Sequence, residues 1–261
     1  MLTTAVIKNI KALKEKSERT SQGLFIAEGE KLVEELMHSS LQTQAIYANV
    51  QWVSDLDKNI RAKFDKQINQ ITEKELGRIS LLKQPNKVIA LVNIPQAKTD
   101  VKQFIGQTTL AFDNISDPGN LGSIIRIADW FGIKHIICSQ NSVDAYNPKV
   151  VQASMGSIFR TSVFYCDLNN FISEIKATAQ TRVFAATLKG KNIYHAGKQA
   201  NAILLFGNES HGISRELLKL CDEQISIPNY GEAKKYASAE SLNIATSTAI
   251  LCAEWRREVQ G

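Results

Sequence analysis

The sequence DNISDPGNLGSIIRIADWFG, residues 113–132, follows an apolar run and joins a polar, glycine-containing turn directly to a helical pattern. One helical face collects apolar residues at helical spacing: Leu121, Ile124, Ile125, Ala128 and Phe131. Ser123, Arg126 and Trp130 fall on another face. The stretch therefore predicts a strand, a loop and a helix. Open α/β proteins bind ligands in such loops at the carboxyl ends of strands, so a functional site is expected here.

From Thr108 onward, apolar runs alternate with amphipathic helical patterns. The runs read TLAF, HIICS, RVFAATL, AILLFG and QISIP, and a long helix is predicted near residues 242–258. Strands that alternate with helices in this way predict an α/β fold, with a parallel sheet covered by helices on both faces.

The pattern of residues 1–96 predicts a separate, small α/β unit. It begins with a basic helix over residues 3–18, continues through the polar break SERTSQG and ends with the strand KVIALVNIP. The polar stretch QAKTDVKQFIGQ lacks a strong period and separates two independently patterned regions. We therefore predict a first domain at residues 1–96, a linker at 97–106 and a second domain at 107–261.

Composition and charge exclude some classes of protein. Hydrophobic residues make up 44% of the 261 residues and charged residues 22%, which is typical of a soluble globular protein. The formal charge of +5 permits an anionic partner without requiring one. No run could span a bilayer, and the lysine-rich N-terminus lacks the apolar core of a signal peptide.

The four cysteines lie far apart in the sequence, with no C-x-x-C pair and no histidine cluster at metal-ligand spacing. We therefore expect buried thiols, no metal site and a reducing, cytoplasmic compartment.

The polar stretch of residues 113–120 contains Gly119, and Gly122 follows it. A nicotinamide cofactor would require G-x-G-x-x-G at this turn, so the missing glycine argues against a nicotinamide-dependent oxidoreductase. The turn could still present helix amides to an anion, or Pro118 and Gly119 could form only a tight connection. These residues alone leave both interpretations open.

A second polar loop lies in LLFGNESHGIS, where an apolar run ends before the next helix. Glu209, Ser210 and His211 offer an acid, a nucleophile and a base. Consecutive side chains point in different directions, however, so we reject a catalytic triad. The alternative is that Ser210 and Ser214 cap the helix that begins SRELLKL.

A third polar loop follows QISIP and reads NYGEAKKYASAE before the last helix. Ser241 and Asn243 fall near the first turn of that helix, where serine and asparagine commonly cap backbone groups. Small residues on the same helix predict close packing against another helix: Ala245, Ser247 and Ala249.

The three loop segments together, in this order, resemble the three motifs of the SpoU/TrmH-type RNA 2′-O-ribose methyltransferases of the SPOUT superfamily. The first domain, with FIAEGEKLVEEL and KVIALV, is similar to the substrate-binding domain of many members, which has the fold of certain small RNA-binding ribosomal proteins. The resemblance implies S-adenosyl-L-methionine as methyl donor, a C-terminal chain threaded as a deep trefoil knot, and a homodimer with the active site near the subunit interface.

The resemblance implies neither a metal nor a membrane as partner, and it assigns roles to particular residues. It implies a catalytic set of Asn120, Arg126, Glu209, Ser241 and Asn243. It implies cofactor contacts at Leu205, Phe206, Gly207, Asn208, Ile227, Pro228, Leu242 and Asn243.

Two arginines are candidate RNA ligands. Arg126 could grip phosphate or stabilise a developing oxyanion, since guanidinium stays protonated up to roughly pH 12. Proton removal by Arg126 itself stays open. Arg160 lies in DAYNPKVVQASMGSIFR, which resembles the segment that members carry between their first two motifs, and it could instead be a surface arginine at a helix end.

The connection EAKKYASAE is longer than the usual connection in the family, so Lys234, Lys235 and Tyr236 could contact substrate. Members with this two-domain plan are often ribosomal RNA enzymes, so the resemblance favours large-subunit ribosomal RNA as the substrate. The alternatives are a transfer RNA 2′-O-methyltransferase and a non-catalytic RNA-binding or ribosome-assembly protein.

Overall fold

The computed structural model describes residues 2–96, 99–197, 199–231 and 240–257. Contacts divide the chain into two compact units. The N-terminal unit comprises Met1–Gln96 and Asp144–Arg160, and the C-terminal unit comprises Ala97–Val143 and Thr161–Gly261. The segment Asp144–Arg160 therefore groups with the N-terminal residues. The functional division into a substrate-binding domain, a linker and a methyltransferase domain stays a prediction.

The helices and strands, in chain order, are α1 (Thr4–Ala12), α2 (Lys16–Gln22), β1 (Leu24–Glu28), α3 (Glu30–Met37), β2 (Thr43–Ala48), α4 (Val50–Asp55), α5 (Lys58–Phe64), β3 (Ile68–Gln70), α6 (Glu73–Ile79), β4 (Val88–Asn93), β5 (Thr108–Phe112), α7 (Pro118–Trp130), β6 (His135–Ser139), α8 (Pro148–Ser154), β7 (Ser162–Cys166), α9 (Leu168–Thr178), β8 (Arg182–Asn192), β9 (Ala202–Phe206), α10 (Arg215–Leu220), β10 (Glu223–Ser226) and α11 (Ile244–Arg257). Short 3-10 helices occur at Val101–Phe104, Ser157–Phe159 and Ile193–His195.

The N-terminal unit is built on a four-stranded sheet in the order β1-β4-β2-β3. β4 is antiparallel to both of its neighbours, and β2 is parallel to β3. One core cluster of this unit combines residues of α1 and α6 with residues of the sheet, among them Ile10, Leu76, Ile26 and Leu91. The predicted small α/β unit therefore has a core of its own.

The predicted helix over residues 3–18 and the polar break after it are wrong in detail. The helix ends at Ala12, and the supposed break SERTSQG lies largely within α2. This polar sequence is helical because of Arg19, whose side chain is only 2% exposed. Its Nη1 donates to the carbonyl oxygens of Leu13 at 2.9 Å and Lys14 at 2.7 Å, and its Nε donates to Asp144 Oδ2 at 2.9 Å. Buried hydrogen bonds thus hold a polar sequence in a helix.

Replacing Arg19 with methionine should lower the free energy of unfolding by about 3–5 kcal/mol, because it leaves a partly buried carboxylate and two carbonyl oxygens without their donor. Urea unfolding measures this change. Arg78→Met, at an exposed arginine of α6, is the matched control and should shift stability by less than about 0.5 kcal/mol. Equal effects in the two variants would contradict the role given to Arg19.

The C-terminal unit contains a six-stranded sheet in the order β10-β8-β9-β5-β6-β7, and all of its strand pairs are parallel. The predicted α/β class with a parallel sheet is confirmed. The trefoil knot stays a prediction. β7 was not anticipated, because this edge strand reads SVFYC and buries only Phe164 fully.

Residues within the segment predicted as a linker contribute to the core of the C-terminal unit. Phe104 is fully buried, and its ring lies 5.3 Å from that of Phe164 and 5.1 Å from that of Phe171, both edge-on. Val101 belongs to the same cluster. An aromatic contact of this kind cannot be read from a polar stretch without a period.

The helix that follows the first loop is fixed at both ends. Asp117 is its N-cap residue, and its carboxylate accepts the backbone N–H of Asn120 at 2.7 Å. Pro118 occupies the first turn. At the other end, Arg256 donates from Nε to the carbonyl oxygen of Phe131 at 2.8 Å, which ties α11 to the end of α7.

All four cysteines are free thiols. Cys138 and Cys252 are buried as expected, whereas Cys166 and Cys221 are only partly buried. Burial raises the pKa of Cys252 to about 12 and the pKa of Cys166 and Cys221 to about 11, and it raises the pKa of Cys138 as well. The thiols are therefore protonated near neutral pH and are poor nucleophiles.

Candidate active site

Three loops meet at the carboxyl edge of the parallel sheet. The first loop, residues 113–117, follows β5, and the second, residues 207–214, follows β9, which pairs with β5. The third, residues 227–243, joins β10 to α11 and is described at 227–231 and 240–243. Because parallel strands end at one edge, loops that are distant in sequence lie together.

A chain of amide hydrogen bonds joins the second loop, α7 and the start of α11. Asn120 Nδ2 donates to Glu209 Oε1 at 2.9 Å. Asn243 Nδ2 donates to Asn120 Oδ1, also at 2.9 Å. The structure therefore brings together three of the five residues predicted as catalytic, which we call the amide network.

Asn243 also caps α11. Its Oδ1 accepts the backbone N–H of Ala245 at 2.8 Å and of Thr246 at 3.4 Å. The capping interpretation of Asn243 is confirmed, and the same side chain carries a second bond to Asn120. Ser241 is exposed next to it. The N-terminus of the last helix is thus coupled to the amide network by one residue.

The expected capping of α10 by a serine hydroxyl is wrong. Ser214 occupies the N-cap position without a side-chain capping bond, and its backbone N–H donates to Asp113 Oδ2 at 2.9 Å. Ser210 instead donates its backbone N–H to Asn208 Oδ1 at 2.9 Å. The carboxylate of the first loop therefore orders the end of the second.

The second loop is closed by a pair of backbone hydrogen bonds. Asn208 and Gly212 exchange them at 3.0 and 2.9 Å. A Cβ at Gly207 would lie 2.1 Å from the carbonyl carbon of Gly212, so only glycine fits there. The Asn208 side chain is committed to structure, since its Nδ2 donates to the carbonyl oxygen of Asn114 at 2.8 Å.

Sequence reasoning missed Asp113 and Asn114, which bind the second loop to the first. Asp113 donates its N–H to the carbonyl oxygen of Phe206 at 2.8 Å. Asn114 has a φ of 59° and donates its N–H to Ser139 Oγ at 2.7 Å. The available signal was an Asp-Asn pair directly after a buried strand, since both residues favour turns and asparagine tolerates positive φ.

Arg126 lies past the middle of α7 and is exposed. Among the residues that the structure describes, no hydrogen bond or ion pair is found for its guanidinium, so the structure does not bring it into the amide network. Arg160 lies in the N-terminal unit, where its Nη1 binds Glu35 Oε2 at 2.5 Å. The predicted RNA contacts of both arginines stay predictions.

The residues predicted to contact the donor fall into two groups. Leu205 and Phe206 are buried, and the Phe206 ring stacks on Phe112 at 5.1 Å, so only their backbone groups could reach a ligand. The others are at least partly exposed at the loops: Gly207, Asn208, Ile227, Pro228 and Leu242. Lys234, Lys235 and Tyr236 lie outside the described residues.

Comparison with known proteins identifies the family. Residues 107–253 match the model of the SpoU rRNA Methylase family. The chain belongs to this family. Residues 5–90 match the MRM3-like substrate binding domain.

The similarity to several known proteins extends over nearly the whole chain. The 23S rRNA (guanosine(2553)-2′-O)-methyltransferase RlmP of Bacillus subtilis is 31% identical, over 94% of this chain and 93% of its own length. A TrmH-family structure from Porphyromonas gingivalis superposes with a TM-score of 0.87 at 32% identity, covering 99% of both chains. An AdoMet-bound rRNA methyltransferase from Sinorhizobium meliloti gives 0.83 at 28% identity, covering 99% of this chain and 97% of that one. The resemblance inferred from the motifs is confirmed.

Neither a metal-ligand cluster nor a membrane-spanning helix is found within residues 2–96, 99–197, 199–231 and 240–257. His211 Nδ1 lies 3.2 Å from Asn208 Oδ1, within the second loop. The polar side chains of this SpoU-family site are thus arranged to orient groups through hydrogen bonds.

The two functions of Asn243 can be separated by substitution. Asn243→Ser keeps an oxygen that can cap α11 but removes the amide that donates to Asn120, whereas Asn243→Ala removes both. We expect the alanine variant to lose about 1 kcal/mol of unfolding free energy and the serine variant to stay close to the wild type. Chemical denaturation measures both values. A serine variant as unstable as the alanine variant would show that capping is not the stabilising contact.

Proposed function

We propose that this SpoU-family protein transfers the methyl group of S-adenosyl-L-methionine to a ribose 2′-hydroxyl of large-subunit ribosomal RNA. The observation that carries the proposal is the amide network of Asn120, Glu209 and Asn243, formed by the three family motifs at one edge of the sheet. RlmP, which resembles this chain over nearly its whole length, is named as a 23S rRNA 2′-O-methyltransferase.

The loops fit the methyl donor by their chemistry. Ile227, Pro228 and Leu242 offer apolar surface that is partly exposed, as an adenine ring and an aliphatic chain require. Gly207 is partly exposed, so its backbone groups can reach a ligand even though Gly212 packs against its α-carbon. When bound, S-adenosyl-L-methionine supplies an electrophilic methyl group carried on a sulfonium.

The protein's own residues then orient the RNA and handle charge. Asn120 and Asn243 hold the Glu209 carboxylate in one direction, so that it can accept a hydrogen bond from the substrate hydroxyl. Arg126 stays protonated, so we assign to it the gripping of RNA phosphate or the stabilisation of charge on the hydroxyl oxygen. Such positioning accounts for a large share of the rate of a displacement reaction.

The test is to incubate the full chain with methyl-labelled donor and ribosomal RNA, and then to map 2′-O-methyl positions in RNA from cells with and without the protein. We expect label in large-subunit ribosomal RNA. Transfer to transfer RNA alone would reassign the substrate. No transfer to either RNA, together with no donor binding by calorimetry, would overturn the proposal.

Arg126→Ala should lower kcat by about 10²–10³-fold, the usual effect of removing one electrostatic contact to a developing charge. Arg126→Lys keeps the charge but loses the planar fork, so it should retain more activity if the contact is to phosphate. Unchanged cellular function of Arg126→Ala despite abolished methylation would favour the non-catalytic RNA-binding alternative.

We also propose a homodimer with the active site near the subunit interface, a deep trefoil knot in the C-terminal unit and a reducing, cytoplasmic location. Trp130 supports the dimer, because its indole is 84% exposed on α7, one turn beyond Arg126. Tryptophan is enriched at protein–protein interfaces relative to the rest of the surface. The free thiols support the location.

Trp130→Glu should convert the dimer into a monomer, because it places a charge in a surface that a second copy would cover. Light scattering after size exclusion gives the mass. Val50→Glu, at a residue of the N-terminal unit that is 65% exposed, is the matched control and should leave the mass unchanged. A wild type that elutes as a monomer at micromolar concentration would refute the dimer.

A further inference from the structure

The pairing of β8 with β10 contains an abrupt change of register. Ala185 pairs with Gln224, but the next residue of β10, Ile225, pairs with Lys191. Residues 186–190 therefore have no partner in the register with β10. The two ends of β10 are aligned on separate parts of β8.

The upstream end of β10 is anchored by charged groups. Asp222 Oδ2 accepts the backbone N–H of Val183 at 2.7 Å. Glu223 forms ion pairs with Arg182 at 3.1 Å and with Lys191 at 3.2 Å. These contacts fix where β10 begins, and the ion pair with Lys191 also reaches the part of β8 that lies beyond the change of register.

The downstream end of β10 rests against Gly190. A Cβ built on Gly190 would lie 2.5 Å from both the backbone nitrogen and the carbonyl carbon of Ile225, and 2.6 Å from the carbonyl carbon of Gln224. These are backbone atoms, so they cannot turn aside as a flexible side chain would. Only glycine allows the two backbones to approach this closely.

A hydrogen bond secures the same contact from the other strand. Ser226 Oγ donates to the carbonyl oxygen of Gly190 at 2.7 Å, in a partly buried setting. Ser226 is the last residue of β10, and Ile227 and Pro228 follow it directly. The close approach of Gly190 to Ile225 and the hydrogen bond from Ser226 therefore fix the last two residues of β10, directly before the third loop.

We propose that Gly190 and Ser226 are positioning residues that fix the position of Ile227 and Pro228, at the start of the third loop, and thereby the affinity for the methyl donor. The inference rests on the proposed function, which places the donor against Ile227 and Pro228. A methyl group at Gly190 must push Ile225 by about 1 Å to reach an ordinary van der Waals distance. Misplacement by about 1 Å can cost on the order of 10² in rate.

Neither residue touches the amide network, so the two parts of the site respond differently. The amide network joins the second loop and α7 to the start of α11 through Asn120, Glu209 and Asn243. Gly190 and Ser226 act on the opposite end of the third loop. Their loss should therefore weaken donor binding while leaving RNA binding intact.

The experiment compares full-length Gly190→Ala and Ser226→Ala with two matched controls. Gly197→Ala adds the same methyl group where no atom lies within 4 Å. Ser173→Ala removes a hydroxyl that donates to the carbonyl oxygen of Asn169, also at 2.7 Å, on the exposed face of α9. Calorimetry gives the donor Kd, steady-state assays separate the donor KM from kcat, and RNA binding is measured without donor.

We expect Gly190→Ala and Ser226→Ala to raise the donor Kd and KM at least tenfold, with RNA affinity unchanged and both controls close to wild type. Ser226→Thr, which retains the hydroxyl, should restore the affinity. If Gly190→Ala does not fold, Ser226→Ala with its threonine rescue decides the question.

Donor affinity in Ser226→Ala equal to that of the wild type would overturn the inference while leaving the proposed function intact. Equal loss of donor and RNA binding would also overturn it, because a general loss of folding would then explain the result. A wild type that binds no donor would overturn the proposed function instead.

Discussion

The carboxamide of Asn120 is the contact on which the site depends. It donates from one atom and accepts at the other, and so joins residues that lie 89 and 123 positions away in the sequence. A carboxylate or an ammonium at this position could make only one of the two bonds. Both partners are within reach because β5, β9 and β10 run parallel in one sheet and end at the same edge.

Most of the surrounding residues hold the loops in one conformation and do not offer their side chains to a ligand. The Asn208 amide donates to the loop backbone, and the Asp113 carboxylate accepts the N–H of Ser214 at the start of α10. The backbone of Gly212 packs against Gly207, where a side chain would not fit. A methyltransferase that works by orientation needs such rigidity, because the reacting groups must be held in line. The loops are therefore built as a frame, with few side chains left for substrate.

Periodicity and motif order predicted the parallel sheet, the helices after its strands and the three loops, because burial on a sheet or on a helical face leaves a repeating trace in sequence. The trace fails where polar groups are satisfied by tertiary contacts. The polar segment around Arg19 is typical of a break between helices, but it is helical because Arg19 is buried and hydrogen-bonded. The polar segment around Phe104 is typical of a linker, but Phe104 is buried in the core. The hydrogen bond between Asn120 and Asn243 could not be predicted from spacing, since it depends on how the strands are ordered. The assignment of each site residue to a catalytic role stays a prediction.

The chemistry of the four thiols has a practical consequence. With pKa values of about 11 to 12 for Cys166, Cys221 and Cys252, fewer than about one thiol in a thousand is ionised near neutral pH. Maleimide reagents react with thiolates, so they should label a cysteine introduced at an exposed position faster than the natural thiols. The difference should be greatest against Cys138 and Cys252, which are buried as well as protonated.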